Sequence, residues 1–140
     1  MTRPSWTELV KVGDESPVIQ RTVSFEEILE FARMTGDFEP IHVDPAYAAR
    51  TPYGACLVHG VLLLGLMSSG MFAEEKVGPN VSYGYERVRF VQPVITGSTI
   101  VIRGRVAEVR PERAQAVIEE TCHNRQGELQ VVAHHLFRFL

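Results

Sequence analysis

Apolar and polar positions change period several times along the first fifty residues. Residues 17–23 (PVIQRTV) read as a first strand. Phe25, Ile28, Leu29 and Ala32 then fall at i, i+3, i+4 and i+7, the spacing of one helix face. Ser24 ahead of them and Glu27 three residues on predict a capping box, and Gly36 a C-terminal stop. A loop over 37–42 follows. Asp44 and Pro45 predict an N-cap and first-turn pair opening a short helix through Tyr47 to Arg50, which Thr51-Pro52-Tyr53-Gly54 ends.

Residues 57–73 are the most apolar stretch. They predict one long helix, starting near 57–60 and ending near Lys76, that is apolar almost all round and must be wrapped by something. Beyond Gly78-Pro79 the period becomes two. Val81, Tyr83 and Tyr85 alternate, and a phase slip to Val88 and Phe90 predicts a bulge near Glu86. Ile100, Ile102 and Val106 form a second run, a turn falls at Pro111-Glu112, and a third run covers 114–122. Asn124-Arg125-Gln126-Gly127 predicts a hairpin turn before a last strand of Leu129, Val131, Ala133, His135, Phe137 and Phe139. The expected fold is α+β, one domain over 1–140. An antiparallel sheet of long strands wraps one apolar helix, the hotdog layout. Such a sheet has open edges, so pairing with a second copy is expected, as a homodimer or a dimer of dimers.

Composition narrows the classes. A chain of 140 residues with 45% hydrophobic and 22% charged residues is neither a disordered tail nor a coiled coil. A net charge of −3 argues against nucleic acid as a partner. Cys56 and Cys122 fit no zinc spacing and read as apolar filler. The first residues lack the apolar core of a signal peptide. The 57–73 stretch is broken by His59, Ser68, Ser69 and three glycines, too polar and short for a bilayer. A cytoplasmic protein without a membrane partner is expected.

The candidate chemistry centres on 34–44 (MTGDFEPIHVD). Asp37 and His42 share one short loop stiffened by Pro40. A carboxylate and an imidazole so placed can converge on one water and do acid–base work. The same spacing is also ordinary turn chemistry after a helix. The acidic positions here fail the calcium-loop pattern, since His42 stands where a glycine is needed and Ala48 where a glutamate is, so no metal is expected. Ser68-Ser69-Gly70 lacks the spacing of a nucleophile elbow. His134 and His135 face opposite sides of a strand, one of them a core or interface histidine, and His123 beside the turn is expected in solvent.

This stretch resembles the signature of the MaoC-like dehydratases, the (R)-specific enoyl-CoA hydratases. Phe31, Thr35, Gly36, Asp37, Phe38, Pro40, Ile41, His42 and Ala48 match it in order. His59-Gly60 at the head of the apolar helix resembles a second landmark of the family, and residues 90–100 (FVQPVITGSTI) a third. The resemblance implies hydration of a trans-2-enoyl-CoA, or dehydration of the (R)-3-hydroxyacyl-CoA. It implies Asp37 and His42 as the catalytic pair, with the Gly60 N–H as oxyanion donor. It implies no metal or redox cofactor, coenzyme A entering as the substrate's thioester. Phe38, Glu39 and His59 are expected at the substrate, although His59 also reads as a cap or packing residue. Glu39 departs from the family's asparagine and sets a second carboxylate two residues from Asp37. Residues 76–110 carry six basic against two acidic side chains, a net of +4. Arg87 and Arg89 on this segment are candidate partners for the nucleotide phosphates of an acyl-CoA. A solvated strand face would look the same. A hotdog thioesterase and a non-catalytic acyl-CoA binding module remain alternatives.

Overall fold

The computed structural model describes residues 5–69 and 74–140. A short helix, α1 (Trp6–Leu9), precedes β1 (Ile19–Thr22). Next come α2 (Phe25–Thr35), α3 (Pro40–Val43), α4 (Pro45–Ala48), α5 (Gly60–Ser68) and α6 (Glu74–Val77). Four long strands follow: β2 (Asn80–Phe90), β3 (Thr99–Arg110), β4 (Gln115–His123) and β5 (Leu129–Phe139). They form one five-stranded antiparallel sheet in the order β1-β3-β4-β5-β2. The long strand β2 is an edge.

Local signals place the early elements. Ser24 and Glu27 close the capping box of α2, and Gly36 ends it at φ 81° with its N–H on the Ala32 carbonyl. The left-handed turn at Gly36 is open to glycine without strain. Asp44 Oδ1 accepts the Tyr47 N–H at 3.0 Å to start α4 behind Pro45. The bulge lies in β2 between Glu86 and Arg89, with Arg87 at φ 52°. A further register shift, between Ser82 and Gly84, leaves no slip in the apolar alternation of Val81, Tyr83 and Tyr85.

The apolar helix is shorter than the sequence suggests. It ends at Ser68, and Ser69 is extended. The Ser68 and Ser69 hydroxyls donate to the carbonyls of Gly65 and Leu66 at 2.8 and 2.9 Å, giving the last turn side-chain partners in place of continued helix. Residues 70–73 of the expected helix lie outside the described residues, and α6 is a separate turn. The sheet packs on one face of α5. Leu63 and Met67 are buried against Val23, Ile28, Ile100 and Val131, but Val61 is 66% exposed.

The sequence pattern does not announce α1. Trp6 stacks on Phe139 with ring centroids 4.4 Å apart and borders a second core cluster of Val10, Val77, Val106 and Ile118. The sheet also buries a polar chain. His135 and Glu120 are 1% and 0% exposed, with Nδ1 and Oε1 2.6 Å apart. His135 Nε2 meets Ser82 Oγ at 2.6 Å, and Tyr85 stacks on its ring. His134 faces outward beside Glu119. His123 departs from expectation: its Nδ1 is buried, because β4 continues through it before the hairpin turn. Among the described residues no helix is long and apolar enough to cross a membrane.

Candidate active site

The end of α2 aims Asp37. Thr35 Oγ1 donates to the Phe31 carbonyl at 2.7 Å and accepts the Asp37 N–H at 3.3 Å. Asp37 Oδ1 in turn accepts the Glu39 N–H at 3.3 Å, an Asx turn that leads into α3. Oδ2 remains for other partners, and the side chain is 44% exposed.

α3 carries His42 one turn later, behind Pro40 at its first position. The His42 Nδ1 lies 2.7 Å from the Leu57 carbonyl oxygen. A carbonyl only accepts, so Nδ1 carries the proton and Nε2 keeps its lone pair. The backbone locks the same contact, because Leu57 N–H donates to the Ile41 carbonyl at 3.0 Å.

His59, expected at the substrate, is instead 2% exposed. The chain enters α5 through it, and its ring turns inward. Nε2–H donates to the Asp37 backbone carbonyl at 3.1 Å, with Asp37 Oδ2 3.9 Å away. Its ring stacks on His42 at 3.9 Å and tilts against Phe31 at 4.8 Å. Nδ1 is buried without a hydrogen-bond partner among the described residues. Burial holds the His59 imidazole below its ordinary pKa, opposed by the Asp37 carbonyl and carboxylate and reinforced by His42.

Donor atoms of Asp37, His42 and His59 lie within 4.8 Å of one another. That span admits one water touching both the Asp37 carboxylate and the His42 imidazole. It suits a metal poorly. The two stacked rings lie within 25° of parallel, so their in-plane lone pairs run side by side and do not meet. One nitrogen of each is also committed to a carbonyl.

His59 supplies no side-chain cap to α5. The first N–H groups of a helix have no intrahelical acceptor and carry partial positive charge. Gly60 is the first helical residue, and it lines a cleft of about 500 Å³ with His42, Tyr53, Val61, Phe90 and Gln92. The cleft is a mouth of apolar side chains over one imidazole and one helix N-terminus. Phe38 is 54% exposed, and Glu39 is exposed at the start of α3 with no capping contact from its side chain. Arg87 and Arg89 are exposed on β2 and do not line this cleft. A second cavity of about 520 Å³ lies between Tyr83, Arg110, Arg113 and Arg138, but Arg110 is already engaged by Glu108. Both cysteines are buried, and burial pushes the Cys122 thiol up to about 11 and raises that of Cys56, so neither is a poised nucleophile.

Sequence reasoning singles out Asp37, His42 and Gly60, which the fold gathers at the end of α2, on α3 and at the head of α5. It misses that His59 binds Asp37 and that Leu57 orients His42. The only signal is the His59-Gly60 pair at the head of an apolar run.

Comparison with known proteins identifies the family and the fold. Residues 4–126 match the MaoC-like domain. The (R)-specific enoyl-CoA hydratase of Aeromonas caviae is 30% identical over 122 residues, 87% of this chain and 90% of the relative. The 3-hydroxybutyryl-CoA dehydratase of Methylorubrum extorquens is 34% identical over 105 residues, but this chain covers only 66% of its length. Among solved structures, the (R)-hydratase from A. caviae involved in PHA biosynthesis superposes with a TM-score of 0.84 at 25% identity, covering 94% of this chain and 98% of that one. The sheet wrapped on one apolar helix is thus the hotdog fold, and with the match over residues 4–126 it makes this chain a member of the MaoC-like domain family.

Proposed function

We propose that this chain adds water to a trans-2-enoyl thioester, and removes it from the (R)-3-hydroxyacyl thioester in reverse. The observation that carries the reading is that the Leu57 carbonyl fixes the His42 ring through Nδ1, with a ring nitrogen of His42 within 4.8 Å of an Asp37 carboxylate oxygen. Water held between the two loses a proton to His42 Nε2 as its oxygen bonds C3. Electron density moves through C2 to the thioester oxygen, which the N–H at the head of α5 stabilises. The proton on His42 then passes to C2, so one water has added, His42 is neutral again and Asp37 is a carboxylate as at the start. Asp37 holds the water's other hydrogen and balances the imidazolium.

A second copy is the proposed partner. Val61, Phe90 and Val91 are exposed at the border of the cleft, and the edge strand β2 also exposes Val81 and Tyr83 toward its other end. A strand edge with unpaired backbone groups pairs readily with its symmetry mate. Coenzyme A is the proposed carrier, its phosphates reaching beyond the cleft to Arg87 and Arg89, which are exposed on β2.

The test is spectrophotometric. A panel of enoyl-CoA thioesters should lose the absorbance of the conjugated double bond without release of free thiol. Asp37→Asn should lower kcat by about 10²–10⁴-fold with folding intact. Thiol release without loss of conjugation would make the chain a thioesterase instead.

A further inference from the structure

We infer that His59 is a positioning residue for this reaction. Kept neutral, it holds the Asp37 loop through Nε2 and forms the floor under the His42 ring. The inference rests on the roles proposed for Asp37 and His42.

Three observations converge. His59 Nε2 donates to the Asp37 backbone carbonyl across 22 residues of sequence, tying the end of α2 to the head of α5. Its ring lies flat against His42, centroids 3.9 Å apart. Its Nδ1 is buried and unpartnered among the described residues, in a side chain only 2% exposed. A nitrogen removed from water without a hydrogen bond costs free energy. An apolar ring filling the same space against Phe31 would avoid that cost. A packing role alone therefore does not account for an imidazole here, whereas a need for one N–H donor facing Asp37 does.

The placement also separates His59 from proton transfer. One nitrogen is committed to a carbonyl and the other is sealed from solvent, so neither reaches a substrate in the cleft. Its effect passes through its neighbours. The donor fixes the backbone that presents the Asp37 carboxylate, and the stacked face fixes the plane in which His42 turns about its bond to Leu57. Misplacing a reacting group by about 1 Å can cost roughly 10²-fold in rate. Substrate binding, made elsewhere in the cleft, should be spared.

Two variants divide the role. His59→Phe keeps a flat ring under His42 and loses the donor. His59→Gln keeps an amide N–H near Nε2 and loses the ring. Folded His59→Phe should show kcat reduced by about 10–10²-fold with KM within about threefold, and His59→Gln should recover at least half of that loss on a logarithmic scale. Wild-type kcat in folded His59→Phe would overturn the inference, whatever happens to its melting temperature. A second measurement needs neither variant nor turnover. Nitrogen-15 spectra of the wild-type protein should show His59 protonated at Nε2 alone at pH 7. A doubly protonated His59 at that pH would overturn it. Absence of hydratase activity in the wild type would instead remove the proposed function, while the spectra would still decide whether a neutral His59 holds the Asp37 carbonyl.

Discussion

A methyl group on Gly60 would stand 2.8 Å from the ring of Phe90. The ring is 52% exposed and lines the cleft, so it can give way, but only by moving within the cleft's lining. The glycine at the head of α5 thus answers a crowding by β2 as well as any need for close approach to its N–H.

Gly60→Ala should therefore cost little stability and lower kcat/KM by about 10–10²-fold. Adding Phe90→Ala removes the clash and should restore a measurable part of the loss, a coupling visible in a double-mutant cycle. Strict additivity of the two changes would mean that the alanine acts through the helix terminus and not through Phe90.

Buried histidine makes stability depend on pH. Burial lowers the pKa of folded His59, while in the unfolded chain it titrates near the usual value of about 6.5. The unfolded state then binds more protons in mildly acidic solution. Stability from this group is complete above pH ~6.5 and is lost as pH falls from there toward the folded value. Glu27 and Glu108, both held below the ordinary carboxylate range, add losses only at lower pH. The wild type should melt at progressively lower temperature between about pH 7 and 5, and His59→Gln should flatten that slope. Equal slopes in the two proteins would reject the assignment to His59.

The Glu120–His135 pair invites a stability test. Both side chains are essentially inaccessible and share a 2.6 Å contact. Removing one partner of a buried pair costs about 3–5 kcal/mol, because the other is left without compensation. Glu120→Ala should lose that much in urea unfolding. Glu120→Gln, which keeps an acceptor for Nδ1–H, should lose less than half of it. A loss under about 1 kcal/mol in Glu120→Ala would mean that His135 is satisfied elsewhere.

What the sequence makes legible is local. Ser24 with Glu27, Gly36, and Asp44 with Pro45 each act within four residues, and each stands where periodicity places it. Asp37 and His42 are legible because they stand five residues apart, although the expected loop over 37–42 turns into α3 at Pro40. The His59–Asp37 contact spans 22 residues and depends on how α5 meets α2, which no spacing encodes. The end of α5 is hidden because an apolar run cannot show that two serine hydroxyls will turn back onto the last carbonyls. Glu120 leaves a faint trace. It falls in phase with Ile118 and Cys122 on the inner face, so its carboxyl has to find a partner there, and His135 on the neighbouring strand is in phase to supply it.

Glu39 is the departure from the family pattern, and its placement decides what replacing it should do. Its backbone N–H is held by Asp37 Oδ1, while its side chain is exposed and makes no capping contact at the head of α3. Asparagine at such a position accepts a hydrogen bond from the first turn, and good N-caps are worth about 1 kcal/mol over residues that do not cap. Its amide can also donate to a water beside Asp37, which an ionised glutamate cannot do. Glu39→Asn should therefore raise the melting temperature slightly and keep or increase the rate on straight-chain enoyl-CoA thioesters. The comparison needs the two proteins assayed side by side across pH and chain length. A fall of about 10²-fold on every substrate would make Glu39 itself a catalytic group, reaching the water despite its exposed position. An unchanged rate with an unchanged pH profile would place the glutamate wholly in solvent and leave Asp37 and His42 to act without it.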